Sequence, residues 1–77
     1  MVLDLYVTCR DRHEAMKIGK ELLRRKLAGC VNIFPIESMY WWKGKITVGK
    51  ETAMLIKTTK AKHMKVDQAI KALHSYT

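Results

Sequence analysis

Apolar and polar residues alternate at the start of the chain, over residues 2–8. Leu3, Leu5 and Val7 share one face of this segment, and the residues between them lie on the other. An alternation with a period of two residues is typical of a β-strand with one buried face. The chain is therefore predicted to begin with a strand that packs against a core on one side only.

Two later segments repeat their apolar residues at the spacing of an amphipathic helix. The first begins near Asp11, whose side chain and that of Glu14 are spaced to bond each other's backbone amides. Gly29 follows as the expected stop of this helix. The second segment covers residues 60–73, and its apolar stripe consists of Val66, Ala69, Ile70 and Leu73. The pattern thus predicts two helices, one before and one after the middle of the chain.

The segment between the helices predicts a long β-hairpin. Its first strand spans residues 30–42 and carries bulky apolar side chains on both faces, which is typical of a strand covered on both sides. Pro35 has no amide hydrogen, so the strand is expected to bend, bulge or lie at a sheet edge there. Gly44 marks the turn, and the second strand returns over residues 46–58. In so short a chain, one face of the first strand is expected to meet something other than its own helices.

The order βαββα predicts an α+β, ferredoxin-like fold, in which two β-α units are joined by the hairpin. The chain of 77 residues is expected to form one domain, residues 1–77, and a disulfide framework, a metal or association is expected to help stabilise its small core. The ferredoxin-like plan has a further strand beside the first one. Because Thr77 follows His74 by only three residues, we expect that strand to be missing.

The chain is basic, since fifteen Lys and Arg residues against seven Asp and Glu residues give a formal net charge of +8. A charge of this sign favours polyanions, but the basic residues are spread along the chain, which favours a solubilising surface. The alternative is a nucleic-acid-binding module that uses the sheet and a lysine-rich rim, with Tyr40, Trp41 and Trp42 as a stacking platform. The two-sided apolar strand favours a subunit contact instead. The predicted contact residues are Phe34, Ile36, Tyr40, Trp41 and Trp42.

Two cysteines, Cys9 and Cys30, are too few for a disulfide framework, and no CxxC pair is present. One disulfide between them stays open on counting alone, whereas reduced and partly buried thiols are the favoured state. The chain has no apolar run near the roughly 18 residues of a membrane span and no signal-peptide pattern at its start. A soluble protein of the cytoplasm without membrane contact is therefore expected.

No catalytic motif is present, neither a GxSxG elbow, nor a P-loop, nor HExxH, so the chain is not expected to be an enzyme. Metal binding is the remaining chemistry, because imidazole and thiolate are natural ligands for copper or zinc. His74 ends the second helix and Cys9 ends the first strand. The two meet if the helix returns to that edge of the sheet. A packed thiol and a histidine at a helix end are the simpler interpretations.

Five short segments together resemble a known family. They read VTC at residues 7–9, LAGCVN at 27–32, YWWKGKI at 40–46, LIKTT at 55–59 and LHSY at 73–76. In order and spacing they resemble the VTC, LAACVN, YxWxGK, IKTT and LHPYE signatures of the CutA divalent-cation tolerance family. The resemblance spans the whole chain. It implies a ferredoxin-like fold in a cytoplasmic homotrimer whose long hairpins pack across subunits, with a role in tolerance of copper and other divalent metals.

The same resemblance bears on the metal site and on the end of the chain. In some bacterial members the metal-site cysteine falls at the position of Val7, and of their histidine pair His74 matches one while Leu73 stands at the other. The resemblance implies weak binding of Cu(II) or another divalent metal, with His74 and Cys9 as candidate ligands. Residues 75–77 read Ser-Tyr-Thr where the family has Pro-Tyr-Glu, and members continue through a strand and a short helix. The chain is therefore expected to be truncated relative to the family.

Overall fold

The computed structural model of the chain describes residues 2–74. Met1 and residues 75–77, which include Ser75 and Tyr76 of the last motif, lie outside the described residues. The elements in chain order are β1 (Val2–Cys9), α1 (Arg12–Arg24), β2 (Cys30–Trp42), β3 (Lys45–Thr59), a 3-10 turn (Lys60–Lys62) and α2 (His63–Leu73). The predicted order βαββα is confirmed.

The three strands form one antiparallel sheet in the order β1-β3-β2, with β3 in the centre. This is the ferredoxin-like order, and within residues 2–74 no fourth strand lies beside β1. Pro35 lies in β2, which is an edge strand of the sheet. Of the three outcomes expected at Pro35, a bend, a bulge or an edge position, the edge position is confirmed. The register with β3 runs unbroken past it, with Pro35 opposite Thr52, so the strand has no bulge there.

Both helices pack on one face of the sheet. The faces of β1 alternate as predicted, because Leu3, Leu5 and Val7 are half-buried towards the core and Tyr6 is exposed. The buried cluster joins residues from every long element except β2, and it consists of Cys9, Ala15, Ile18, Leu22, Met54, Ile56, Val66 and Ala69. Val31 and Ile33 of β2 pack against this cluster from its rim.

Among the described residues, no helix is long and apolar enough to cross a membrane.

The helix boundaries follow local hydrogen bonds more closely than the apolar pattern. Asp11 caps α1 as predicted, since its carboxylate accepts a bond from the Glu14 amide at 2.8 Å. The helix ends at Arg24, five residues before Gly29, which was expected to stop it. The left-handed backbone that follows the helix is adopted by Lys26, at φ 58°, and not by Gly29. The second helix begins at His63, because residues 60–62 form the 3-10 turn instead of its first turn.

The hairpin turn consists of Lys43 and Gly44, both with positive φ (52° and 75°). This is the pairing of two left-handed residues that a two-residue turn between twisted strands requires. Glycine adopts this backbone without a steric penalty. The predicted turn is confirmed, with Trp42 and Lys45 as the last pair of the two strands.

The two cysteines differ in their surroundings and do not form a disulfide. Cys9 is fully buried, whereas Cys30 is exposed at the start of β2. The expectation of two partly buried thiols was therefore wrong in both cases, because β1 ends beneath the helices while β2 begins at the outer edge of the sheet.

Candidate metal centre

Three potential metal ligands converge where β1, α1 and α2 meet. Cys9 is the last residue of β1, Glu14 lies in the first turn of α1, and His74 caps the end of α2. One ligand atom from each lies within 4.8 Å of the other two. Because α2 runs back along the sheet, it brings His74 to the end of β1, which is the meeting with Cys9 that the sequence left open.

The thiol of Cys9 is buried and protonated at neutral pH. Burial raises the pKa of Cys9 from 9.0 to about 11, and the negative charges of Glu14 and Asp11 add to the shift. The thiol donates a weak hydrogen bond to the thioether sulfur of Met54, with the two sulfur atoms 3.3 Å apart. A metal ion that binds Cys9 must therefore displace this proton.

Glu14 is a buried carboxylate, only 5% exposed. Its Oε1 accepts a hydrogen bond from the backbone amide of Arg10 at 2.9 Å, one residue earlier than the predicted capping box places that bond. The sequence assigned Glu14 to helix capping only and missed it as a candidate ligand. The spacing of Glu14 from Cys9 could have indicated this position. The first turn of a helix that directly follows a strand lies close to the end of that strand, and here α1 follows β1 directly.

His74 is half-buried, and its ring is oriented by the backbone of β1. Its Nε2 lies 2.6 Å from the carbonyl oxygen of Thr8. A carbonyl oxygen only accepts hydrogen bonds, so Nε2 carries the hydrogen and the neutral ring has its lone pair on Nδ1. A backbone carbonyl in this position is a common way to fix the tautomer of a metal-binding histidine.

An open cavity of about 340 Å³ lies between the edge of β1 and the end of α2. His74 is the residue of the three-residue cluster that lines this cavity. The cavity is lined by Tyr6, Val7, Thr8, Ile70, Lys71 and His74.

The predicted contact residues lie on the hairpin, away from the cluster. Trp41 is 72% exposed and Trp42 is 61% exposed, with the Lys43 ammonium 5.8 Å from the ring centre of Trp42. Phe34 and Tyr40 are also exposed, and Ile36 is half-buried. Trp41 pairs with Ile46, and the next pair on that face is Met39 with Val48. All four of these side chains are exposed, and they form a continuous apolar surface near the tip of the hairpin.

The fold and the cluster define a small, ferredoxin-like α+β protein in which a thiol, a carboxylate and an imidazole lie together, a donor set that suits a transition metal. The family model of the CutA1 divalent ion tolerance protein matches residues 3–77. The chain therefore belongs to the CutA1 divalent ion tolerance family, and the resemblance stated above is confirmed.

Two curated relatives illustrate the match. The divalent-cation tolerance protein CutA of Archaeoglobus fulgidus is 51% identical over 73 residues, which cover 95% of this chain and 72% of that protein. The protein of the same name from Thermococcus kodakarensis is 44% identical over 72 residues, which cover 94% of this chain and 69% of that protein.

Solved structures agree with the fold. The structure of the periplasmic divalent cation tolerance protein CutA from Archaeoglobus fulgidus superposes with a TM-score of 0.91 at 49% identity, covering 99% of this chain and 74% of that one. The structure of the divalent cation tolerance protein from Thermus thermophilus gives 0.90 at 37% identity, covering 100% and 76%. These matches confirm the ferredoxin-like class, and nothing in them supports the nucleic-acid alternative.

Proposed function

We propose that this chain serves divalent-metal tolerance by binding Cu(II) or another divalent ion at Cys9, Glu14 and His74. The observation that carries the proposal is the convergence of one thiol, one carboxylate and one imidazole within 4.8 Å. Thiolate and imidazole favour copper and zinc, and the carboxylate offers a negative charge that a divalent cation compensates. Because the thiol must lose a proton at a pKa of about 11, binding near neutral pH is expected to be weak.

A titration with variants tests this site. Zn(II) is the probe for affinity, because it does not oxidise the thiol, and Cu(II) is then compared in competition. His74→Ala is expected to lower the affinity by at least about tenfold, the scale on which even indirect ligand contacts act. His63→Ala is the matched control, since His63 is exposed at the opposite end of α2. Equal affinity in the two variants would show that the metal binds elsewhere.

We also propose that copies of the chain associate as a homotrimer through the hairpin, with Phe34, Ile36, Tyr40, Trp41 and Trp42 in the contact. The support is exposed apolar surface on both faces of the hairpin. Trp41 belongs to the patch near its tip, whereas Phe34, Tyr40 and Trp42 lie on the opposite face of β2, since alternate residues of a strand face opposite ways. Exposed apolar patches of this kind commonly mark an interface. Aromatic side chains dominate the buried centres of such interfaces. Light scattering during size exclusion, with intact mass spectrometry of the same sample, measures the number of chains. A monomer at micromolar concentration would contradict the proposal.

The proposed role is that of a binding protein rather than an enzyme. A catalytic cysteine has a lowered pKa, whereas burial gives Cys9 a pKa of about 11. Slow alkylation of Cys9 by iodoacetamide at pH 7, compared with exposed Cys30, is the expected result. Fast alkylation of Cys9 would instead support a nucleophilic role for this thiol.

We propose the cytoplasm as the compartment, because an exposed and unpaired Cys30 suits a reducing environment. The Archaeoglobus relative is described as periplasmic, so fractionation of the source cells is the direct test.

A further inference from the structure

The thioether sulfur of Met54 lies beside the candidate metal centre. Met54 is fully buried, and its Sδ lies 3.3 Å from the Cys9 Sγ. Two metal–sulfur bonds of about 2.3 Å each span at most about 4.6 Å, so one ion can reach both sulfur atoms. The contact depends on the pairing of β1 with β3, which places Met54 opposite Val7 and Thr52 opposite Cys9.

Met54 and Glu14 differ in the kind of metal that they favour. A thioether is a soft, uncharged donor, and together with a thiolate it selects Cu(I) over harder ions. A carboxylate is a hard, charged donor that suits a divalent ion. Both lie beside the same thiol, one on the sheet and one on α1.

Building on the proposed metal site, we propose that this pocket also binds Cu(I), through a set of ligands that overlaps the set for divalent ions. Cys9 and His74 are common to both sets, Met54 completes the set for Cu(I), and Glu14 completes the set for divalent ions. With Cu(I), the monovalent ion takes the place of the thiol proton, so the net charge of the buried site does not change. Glu14 then keeps the hydrogen bond that it accepts from the Arg10 amide.

The charge of the site explains why the second set needs Glu14. A divalent ion that replaces the single thiol proton adds one positive charge to a buried site, and an uncompensated buried charge is strongly unfavourable. The nearby carboxylate of Glu14 supplies the opposite charge within ligand distance. The two sets thus share Cys9 and His74 and differ only in their third ligand, which is Met54 or Glu14. Either of these two residues can be substituted while the other is kept.

The experiment compares Met54→Leu with Glu14→Gln, both close in size to the native residues. Cu(I) affinity is measured anaerobically by competition with a chromogenic Cu(I) chelator, and Zn(II) affinity is measured by competition with a chromogenic zinc chelator. Met54→Leu is expected to weaken Cu(I) binding by at least about tenfold and to leave Zn(II) binding unchanged. Glu14→Gln is expected to weaken Zn(II) binding by at least about tenfold and to leave Cu(I) binding unchanged. Met64→Leu is the matched control, since Met64 is exposed on α2.

Two outcomes overturn the inference. If Met54→Leu weakens Cu(I) binding no more than Met64→Leu does, the thioether is not a ligand. If it weakens Cu(I) and Zn(II) equally, the substitution acts through packing, and thermal melting of the variant identifies that effect. Failure of the proposed metal site itself is recognised separately, because Zn(II) affinity is then the same in wild type, Cys9→Ser and His74→Ala.

Discussion

The imidazole of His74 donates a hydrogen bond from Nε2 to the backbone carbonyl oxygen of Thr8, over 2.6 Å. This bond joins the end of α2 to the end of β1, two segments 66 residues apart in the chain. It also places the ring next to Cys9, the residue that follows Thr8. The position of His74 is therefore set by the fold, and the candidate metal centre depends on how α2 returns across the sheet.

Metal affinity is expected to rise with pH. Because the pKa of Cys9 is about 11, every metal ion that binds at neutral pH releases one proton from the thiol. The logarithm of the Zn(II) association constant should increase by about one per pH unit between about pH 7 and 8.5. Chelator competition at several pH values measures this slope. The slope should disappear in Cys9→Ser, and an unchanged slope in that variant would exclude the thiol as a ligand.

The same thiol makes the free energy of unfolding depend on pH in alkaline solution. The pKa of Cys9 is raised in the folded state, so above about pH 9 the unfolded chain loses this proton first. Below pH 9 both states keep the proton and the contribution is constant. Between about pH 9 and 11 the contribution lowers the stability of the fold as pH rises.

Urea denaturation of wild type and Cys9→Ser at pH 8, 9 and 10 checks this sign. The difference in unfolding free energy between the two proteins should shift in favour of Cys9→Ser as pH increases. Cys30→Ser serves as the control, because Cys30 is exposed. A difference between wild type and Cys9→Ser that stays constant across this range would contradict the raised pKa.

Trp42 is expected to stabilise the assembly rather than the single chain. Its side chain is 61% exposed in one chain, so replacing it leaves little cavity in the monomer. If Trp42 is buried between subunits, Trp42→Ala should cost about 3–5 kcal/mol of assembly stability. The melting temperature of wild type should then depend on protein concentration, and Trp42→Ala should lose that dependence. An unchanged mass and melting temperature would remove Trp42 from the contact.

Much of the fold could be predicted because local patterns and global topology agree. The alternation around Leu5 defined β1, the Asp11 cap defined the start of α1, and Pro35 restricted β2 to an edge or a distortion. The start of α2 was misplaced because an apolar stripe looks similar for an α-helix and for a preceding 3-10 turn.

The candidate site was harder to predict, because its contacts depend on long-range register. Met54 meets Cys9 across 45 residues, and no spacing in the sequence indicates a contact between them. Glu14 has a local role as the acceptor for the Arg10 amide, and that role concealed its position beside the thiol. A residue with an evident local role, such as helix capping, is easily overlooked as a candidate ligand when only the sequence is known.

Gly19 offers a substitution that should stabilise the fold. It lies inside α1, where glycine costs about 0.5–1 kcal/mol relative to alanine because its backbone loses more freedom on folding. A β-carbon at this position would lie 3.4 Å from Val31 Cγ1 and 3.6 Å from Met54 Cε, which are ordinary van der Waals contacts. Gly19→Ala should therefore raise the unfolding free energy by about 0.5–1 kcal/mol.

Gly44→Ala is the matched contrast, since its φ of 75° should make the same change destabilising by about 1 kcal/mol. Urea denaturation of both variants measures the two signs, and a destabilised Gly19→Ala would mean that α1 lies closer to the sheet than these distances indicate.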